Sequence, residues 1–290
     1  MRYRRQHGFT LVELIVVMVV VGVIAGILVL QIRPAMQSYL AVRQRANLTS
    51  QLDAALRRVV AEVHAAVPNS LRFTQDANNQ CIEFVPTKDG GRFRTDLDTT
   101  AASQASTFNA PLVGGVPTNR FGVLTTFATT GPQRSAQPND FIVVGNLNRD
   151  DVYAGTNVGV IQAITDSTQA ADRAVAAHLV TLAAPVSFPA GYEGGRFVVV
   201  PSNERAVTYT CDVRAGTVWR VTGYTPSATQ PTTCPTGTAR LVAKVTDCAF
   251  AYRENEGATQ QSGYLQLRLG LTDGGETATV TMGTHVENVP

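Results

Sequence analysis

The feature that most constrains this chain is the run from Leu11 to Leu30, apolar throughout except for Glu13. A stretch of that length folds as a helix in hydrocarbon, because lipid offers no partners to free backbone groups. Counted from Phe9, its 22 residues rise about 33 Å at about 1.5 Å each, enough to cross a bilayer. Arg2, Arg4 and Arg5 precede the run, and positive charge keeps that end cytoplasmic. Glu13 is the anomaly. A carboxylate in hydrocarbon costs about 2.5–3.5 kcal/mol at mid-bilayer and less near the edge, so it needs a reason to be there.

A cleavable secretion signal has small residues after its apolar core. Here Ala25 and Gly26 are followed by Ile27 to Leu30, and no such site is visible. The distinctive junction lies before the core, at Gly8-Phe9. The hexapeptide GFTLVE, residues 8–13, resembles the processing site of type IV prepilins and type II secretion pseudopilins. The resemblance implies cleavage after Gly8 by a prepilin peptidase, methylation of the new N-terminal Phe9, and retention of the span. It also gives Glu13 a role. Cleavage leaves a positively charged amine on Phe9, and an amine and a carboxylate that pair in lipid each offset part of the other's desolvation. Between chains, such a pair would set the axial register of assembly. The plainer alternative is an unpartnered Glu13 snorkelling at the interface.

Beyond the span, Leu52, Ala55, Leu56, Val59, Val63, Ala66 and Val67 recur at intervals of mostly three and four, which predicts an amphipathic helix. Pro68-Asn69-Ser70 is a stop signal. One helix from Phe9 to about Val67 is expected, with a kink at Pro34. A coiled-coil stalk over 35–67 is the alternative, weakened by fewer than three clean heptads.

After residue 68 the texture changes to short β-type runs punctuated by Gly, Pro and Asn. Strands are expected at 71–74, 81–86, 140–145, 178–182, 197–201, 206–212, 217–222, 241–252, 265–272 and 277–284. Hairpins are expected around Val213-Arg214-Ala215-Gly216 and Asp273-Gly274-Gly275. Segments 99–118, 128–139 and 225–239 read as long loops. The fold class is therefore α+β, and by resemblance pilin-like: a long N-terminal helix packed on an antiparallel, β-rich head. The expected parts are a leader, 1–8; a membrane and filament-core half-helix, 9–30; an amphipathic half-helix, 31–67; and one head, 68–290, with no second-domain linker.

Short runs in the head narrow the resemblance. They are Cys81 to Pro86, Gly90 to Arg94, Val207 to Cys211 with Trp219-Arg220 and Gly223-Tyr224, Cys248 to Tyr252, and His285 to Pro290. These are similar to minor pilins of mannose-sensitive haemagglutinin (MSHA) pili, within the PilW/GspJ-like group of larger minor pilins. The resemblance implies that the chain joins other major and minor pilins through packed N-terminal helices. It also implies contact with an inner-membrane assembly platform, with the head periplasmic before assembly and on the cell surface in the pilus afterwards. Rival readings are a type II secretion pseudopilin and a tip subunit whose loops hold an adhesion ligand or DNA. For the last, the loops supply only Arg120, Arg134, Phe108, Phe121 and Phe127.

The four cysteines, Cys81, Cys211, Cys234 and Cys248, form no C-x-x-C pair and lie near no histidine in sequence. An exported chain with an even count fits two disulfides; four buried thiols are the alternative. Of the three connectivities, Cys211–Cys234 closes a loop around a hairpin and Cys81–Cys248 staples early to late strands, and these two are expected. No catalytic constellation, metal site or cofactor loop stands out. Asn146-Leu-Asn148-Arg-Asp150-Asp151 has the alternating oxygens of a calcium loop but lacks its glycine and glutamate, and reads as a solvated turn. His64 is expected beside the helix stripe, His285 at a strand end and Trp219 in the core. The net charge is +2, and removing the three N-terminal arginines leaves −1 on the rest, so no nucleic-acid footprint is expected.

Overall fold

The computed structural model describes residues 8–130, 133–192, 194–237, 239–256 and 262–287. It opens with helix α1 (Leu11–His64), followed by strands β1 (Arg72–Gln75), β2 (Asn79–Phe84) and β3 (Asp89–Arg92) and the short helix α2 (Ala101–Gln104). Next come β4 (Pro117–Val123), the two-residue strands β5 (Thr129–Thr130) and β6 (Gln133–Arg134), β7 (Phe141–Val143), α3 (Asp151–Ala154), β8 (Val158–Asp166), α4 (Ala170–Val175), β9 (His178–Ser187) and β10 (Arg196–Val200). The chain finishes with β11 (Val207–Asp212), β12 (Thr217–Val221), β13 (Ala239–Ala243), β14 (Val245–Glu256), β15 (Ser262–Asp273) and β16 (Glu276–Glu287).

Helix α1 has 54 residues, about 81 Å at about 1.5 Å per residue. It stays helical through Pro34. Its two halves differ as their sequences do. Every residue from Leu11 to Leu40 is exposed. Leu48, Leu52, Ala55, Leu56, Val59 and Val63 are buried, a stripe at intervals of three and four that seats the second half on the head.

The head holds two bodies. In the first, a five-stranded sheet, β1-β2-β11-β12-β13, and a three-stranded sheet, β14-β15-β16, share one core with α1. Alternation decides what faces that core: Leu265, Leu267, Leu269 and Leu271 point in, while Gln266 and Arg268 point out. The expected strand 241–252 is two strands, because Lys244 takes a left-handed φ of 62° and turns the chain from one sheet to the other. Both expected hairpins form, with β11 against β12 and β15 against β16.

The second body lies between β2 and β11 in sequence. Its six strands pair antiparallel in the order β3-β10-β7-β8-β9-β4. A further bridge, Phe93 with Val123, joins the two outer strands, supported by Arg94 N–H to Gly122 O (2.9 Å) and Leu124 N–H to Arg92 O (2.8 Å). The sheet is thereby a closed barrel. Phe121, Val123, Ile142, Ile161, Val180, Leu182, Phe197 and Val199 fill it, with alternate residues such as Phe141, Val143, Val198 and Val200 on the outside. The single expected head thus contains an inserted barrel with its own core. Of its strands, β3, β4 and β8 lie outside the runs read as strands, and segment 99–118 contains α2.

The cysteine pairing differs from the expected one. The bonds are Cys81–Cys234 and Cys211–Cys248. Register explains why. On paired strands β2 and β11, Cys81 stands opposite Thr210 and Cys211 opposite Gln80, so the two cysteines emerge on opposite faces of the sheet. Cys211 faces the core shared with β14, where Cys248 stands. Cys81 faces outward, under the segment that carries Cys234. A Cys211–Cys234 bond would have to pass through the sheet.

Candidate functional site: the N-terminal helix and its junction with the head

Gly8, Phe9 and Thr10 are exposed and precede the helix. Thr10 has extended backbone, and its hydroxyl accepts the Glu13 N–H at 3.3 Å. This is an N-cap: the threonine oxygen takes one of the amides a helix start leaves unpaired. The helix therefore begins at Leu11, two residues after the Phe9 start read from the sequence, and ends at His64 rather than Val67. Glu13 sits in its first turn, where the helix dipole favours a carboxylate. Among the described residues no cation pairs with that carboxylate. Phe9 is 79% exposed, and the large apolar side chains from Leu11 to Leu30 are all about half exposed or more. The first half of α1 is the one helix among the described residues long and apolar enough to cross a membrane. Such a surface needs lipid or the helices of other subunits.

At its other end the helix is locked to the head. Glu62 receives Arg220 from β12 (2.9 Å), and Arg220 also binds Glu204, in the segment leaving the barrel (2.8 Å). Lower on the helix, Gln44 donates to Asp273 at 2.9 Å and Arg45 pairs with Glu276. His64 is exposed, with its Nε2 against the Thr284 hydroxyl. Lys244 and Gln44 beside Asp273 hold that carboxyl below the usual range.

A second constellation, not anticipated from the sequence, joins the two bodies. Arg72 of β1 is 1% exposed. Its guanidinium lies 3.3 Å from the centre of the Tyr153 ring on α3 and 2.7 Å from Asp150. It also donates to the carbonyls of Ser227 and Ala228. Glu83 of β2 stands 3.8 Å from it and accepts the Tyr224 hydroxyl at 2.8 Å. Burial pushes the Glu83 carboxyl up from its ordinary value, opposed by the Tyr224 bond and by Arg72. Burial likewise raises the phenols of Tyr153 and Tyr224, so both stay neutral donors. Nothing in the periodicity marks Arg72; an arginine between Leu71 and Phe73 reads as a strand residue facing water.

The run 146–151 belongs to the same junction. Asn146 is 1% exposed. It donates to the Pro68 carbonyl at 2.7 Å and accepts from the Val152 N–H and the Asn157 amide. Asp150 is the partner of Arg72. Residues 147–150 are exposed, as expected of a solvated turn, while Asn146 and Asp150 also tie the run to the segment after α1 and to Arg72. Among the described residues no His, Cys, Asp or Glu cluster has the arrangement of a metal site. Phe108, Phe121 and Phe127, weighed above as loop aromatics for a ligand, are buried in the barrel body. Arg120 is exposed on β4; the Arg134 side chain lies outside the described residues. Trp219 is half-buried on β12 rather than in the core, and His285 is exposed on β16 with its ring against Tyr264.

Comparison with known proteins adds one finding. Residues 3–29 match the family model described as the prokaryotic N-terminal methylation motif. No curated protein and no solved structure matches the chain. That motif, running into an exposed apolar helix that is seated on an antiparallel head, supports a type IV pilin-like protein.

Proposed function

We propose that this chain is a minor pilin, processed after Gly8 by a prepilin peptidase, methylated on Phe9, and inserted into a type IV pilus through α1. Its role is structural rather than enzymatic. Before assembly it crosses the inner membrane once with its N-terminus cytoplasmic and its head periplasmic; afterwards it lies in the pilus at the cell surface. The parts follow the chain: leader 1–8, core half-helix 9–30, amphipathic half-helix 31–67 and head 68–290. Its partners are the peptidase, the inner-membrane assembly platform and other pilins. In the assembly Glu13 pairs with the Phe9 amine of a neighbour. Within the minor pilins, the short head motifs favour the PilW/GspJ-like group and an MshO-like member of an MSHA-type system. The bulk of the head, with its inserted barrel, favours few copies at a filament end, in an initiation or tip complex.

The observation that carries this reading is the motif at the start of a helix exposed over its whole first half. Mass spectrometry of the mature N-terminus tests it. The expected species begins at a methylated Phe9; intact residues 1–8, or a cut near residue 30, would overturn the reading. A type II secretion pseudopilin shares every step up to assembly. The two are separated by deleting the gene and asking whether piliation or secretion is lost.

A further inference from the structure

Exposed strand edges are templates for another chain, and proteins blunt them with short strands, charges, prolines or covering segments. This head does so at nearly every edge. The barrel has no edge, because Phe93 and Val123 close it. β1 is four residues long, and segment 225–236 covers it: the Gln230 amide donates to the Phe73 carbonyl and the Thr74 hydroxyl to the Pro231 carbonyl. β13 is five residues long and carries Arg240. On β14 the outer edge is met by Gln80, whose side chain accepts the Phe250 N–H at 2.8 Å.

β16 is the exception. It spans twelve residues and is the last strand of its sheet. Thr277 to Thr284 contains no charge and no proline. Among the described residues no backbone bond reaches it from its outer side.

The direction of β16 limits what can pair there. Arg45 meets Glu276 and His64 meets Thr284. Nineteen residues of helix and eight of strand each cover about 27–28 Å, so β16 runs alongside α1 in the same sense. Two copies of β16 paired antiparallel would be related by a two-fold axis perpendicular to the strands. That axis would invert one α1 against the other, which two spans entering one membrane in the same orientation do not allow; parallel pairing of two copies would keep the helices aligned but makes the weaker ladder per residue. We infer that the outer edge of β16 is a strand-addition site for the head of a different pilin-type subunit, whose own first helix lies parallel to α1. Backbone bonds along 277–284 supply the affinity. The threonines at 277, 279 and 281 are exposed beside it, and the nearby Arg268, opposite Thr281, is already paired with Asp247.

This inference rests on the pilin reading, and the test keeps the two apart. A photo-crosslinking residue replaces Thr279 in the full chain, expressed in piliated cells, with a second probe at Val213 as the control. The expected result is one discrete adduct from position 279 and none from 213. Its second component should carry the same N-terminal methylation motif and its crosslinked peptide should lie in a strand. The variant Thr279→Lys/Thr281→Lys, with both disulfides formed, should reach normal abundance and lose incorporation into the pilus. An adduct only with a second copy of this chain, equal labelling from 213, or normal incorporation of the lysine variant would overturn strand addition. In the same samples Phe9 is read by mass spectrometry. A methylated Phe9 with no adduct defeats this inference alone; an unprocessed N-terminus defeats the pilin reading itself.

Discussion

Both bodies of the head are antiparallel sheet, yet they bury their strands in different ways. The body on α1 takes one wall of its core from a helix stripe, leaves β16 open and carries both disulfides. The barrel uses no long helix, closes its sheet through Phe93 and Val123, and has no cysteine between residues 87 and 201. Its ends leave the body from paired neighbours, Phe84 of β2 and Val207 of β11. An insertion whose ends already touch costs its host little chain entropy. The contrast separates a body built on α1 from an added barrel held to it by Arg72, Asn146 and Arg220.

The largest expected effects come from the disulfides, because both lie in one body. Cys81–Cys234 spans 153 residues and Cys211–Cys248 spans 37. Chain-entropy reasoning gives about 5 and about 4 kcal/mol respectively. Trp219, the sole tryptophan, is in the helix-led body, so its fluorescence reports on that body alone. Cys81→Ser/Cys234→Ser should lower the tryptophan transition in urea more than Cys211→Ser/Cys248→Ser does. Equal losses would show that the long bond's loop is already constrained by the shorter one.

Core truncations test the comparison next. Phe121 in the barrel and Leu52 on α1 are both fully buried, and each cut to alanine should cost about 4 kcal/mol. Phe121→Ala should shift the far-ultraviolet circular dichroism transition while leaving the tryptophan transition nearly in place. Leu52→Ala should shift the tryptophan signal. Coincident shifts of both probes in both variants would make the head one cooperative unit.

How much of this was legible beforehand follows the same division. The first helix, its exposed half and its buried stripe were readable because apolar runs and three-four spacing report burial directly. The two tight hairpins were readable from their glycine-bearing turns, with Gly216 at φ 63° and Gly274 at φ 57°. The barrel was not. β3 reads Asp-Gly-Gly-Arg, and Gly91 lies there because an added Cβ would meet the Thr125 hydroxyl at 2.3 Å; composition alone makes such a segment a turn. β4 begins at Pro117 inside a stretch of small residues, and β8 opens Val-Gly-Val-Ile-Gln-Ala. The disulfide pairing needed the β2–β11 register, a contact between residues more than a hundred positions apart. Arg72 failed for a related reason: its closest acidic partner, Asp150, and the ring it stacks on, Tyr153, come from the insertion.

Arg72→Met asks whether the joint couples the bodies. Removing the cation leaves Glu83 and the carbonyls of Ser227 and Ala228 without their donor, a change of about 3 kcal/mol for acceptors left unpaired in the interior. The expected outcome is two separated transitions, tryptophan and dichroism, where the parent shows them closer. A uniform loss with the transitions still together would mean that Asn146 and Arg220 suffice as the joint.

The smallest effect, and the one that discriminates most finely, is the pH dependence carried by Glu83. Burial raises its carboxyl above the ordinary value, while Tyr224 and Arg72 pull it down. A carboxyl whose folded pKa lies above its unfolded one binds more protons in the folded state. Its contribution is therefore fully present below the unfolded value, about 4.3, and is lost as pH rises through the folded value. Glu83→Gln keeps an acceptor for the Tyr224 hydroxyl and removes the titration. The parent's Tm should thus lose ground to the variant's as pH rises from 4 towards neutrality. Movement the other way would mean that the arginine at 3.8 Å outweighs desolvation, and that the joint between the two bodies is held by a true ion pair rather than by hydrogen bonds and stacking around a buried cation.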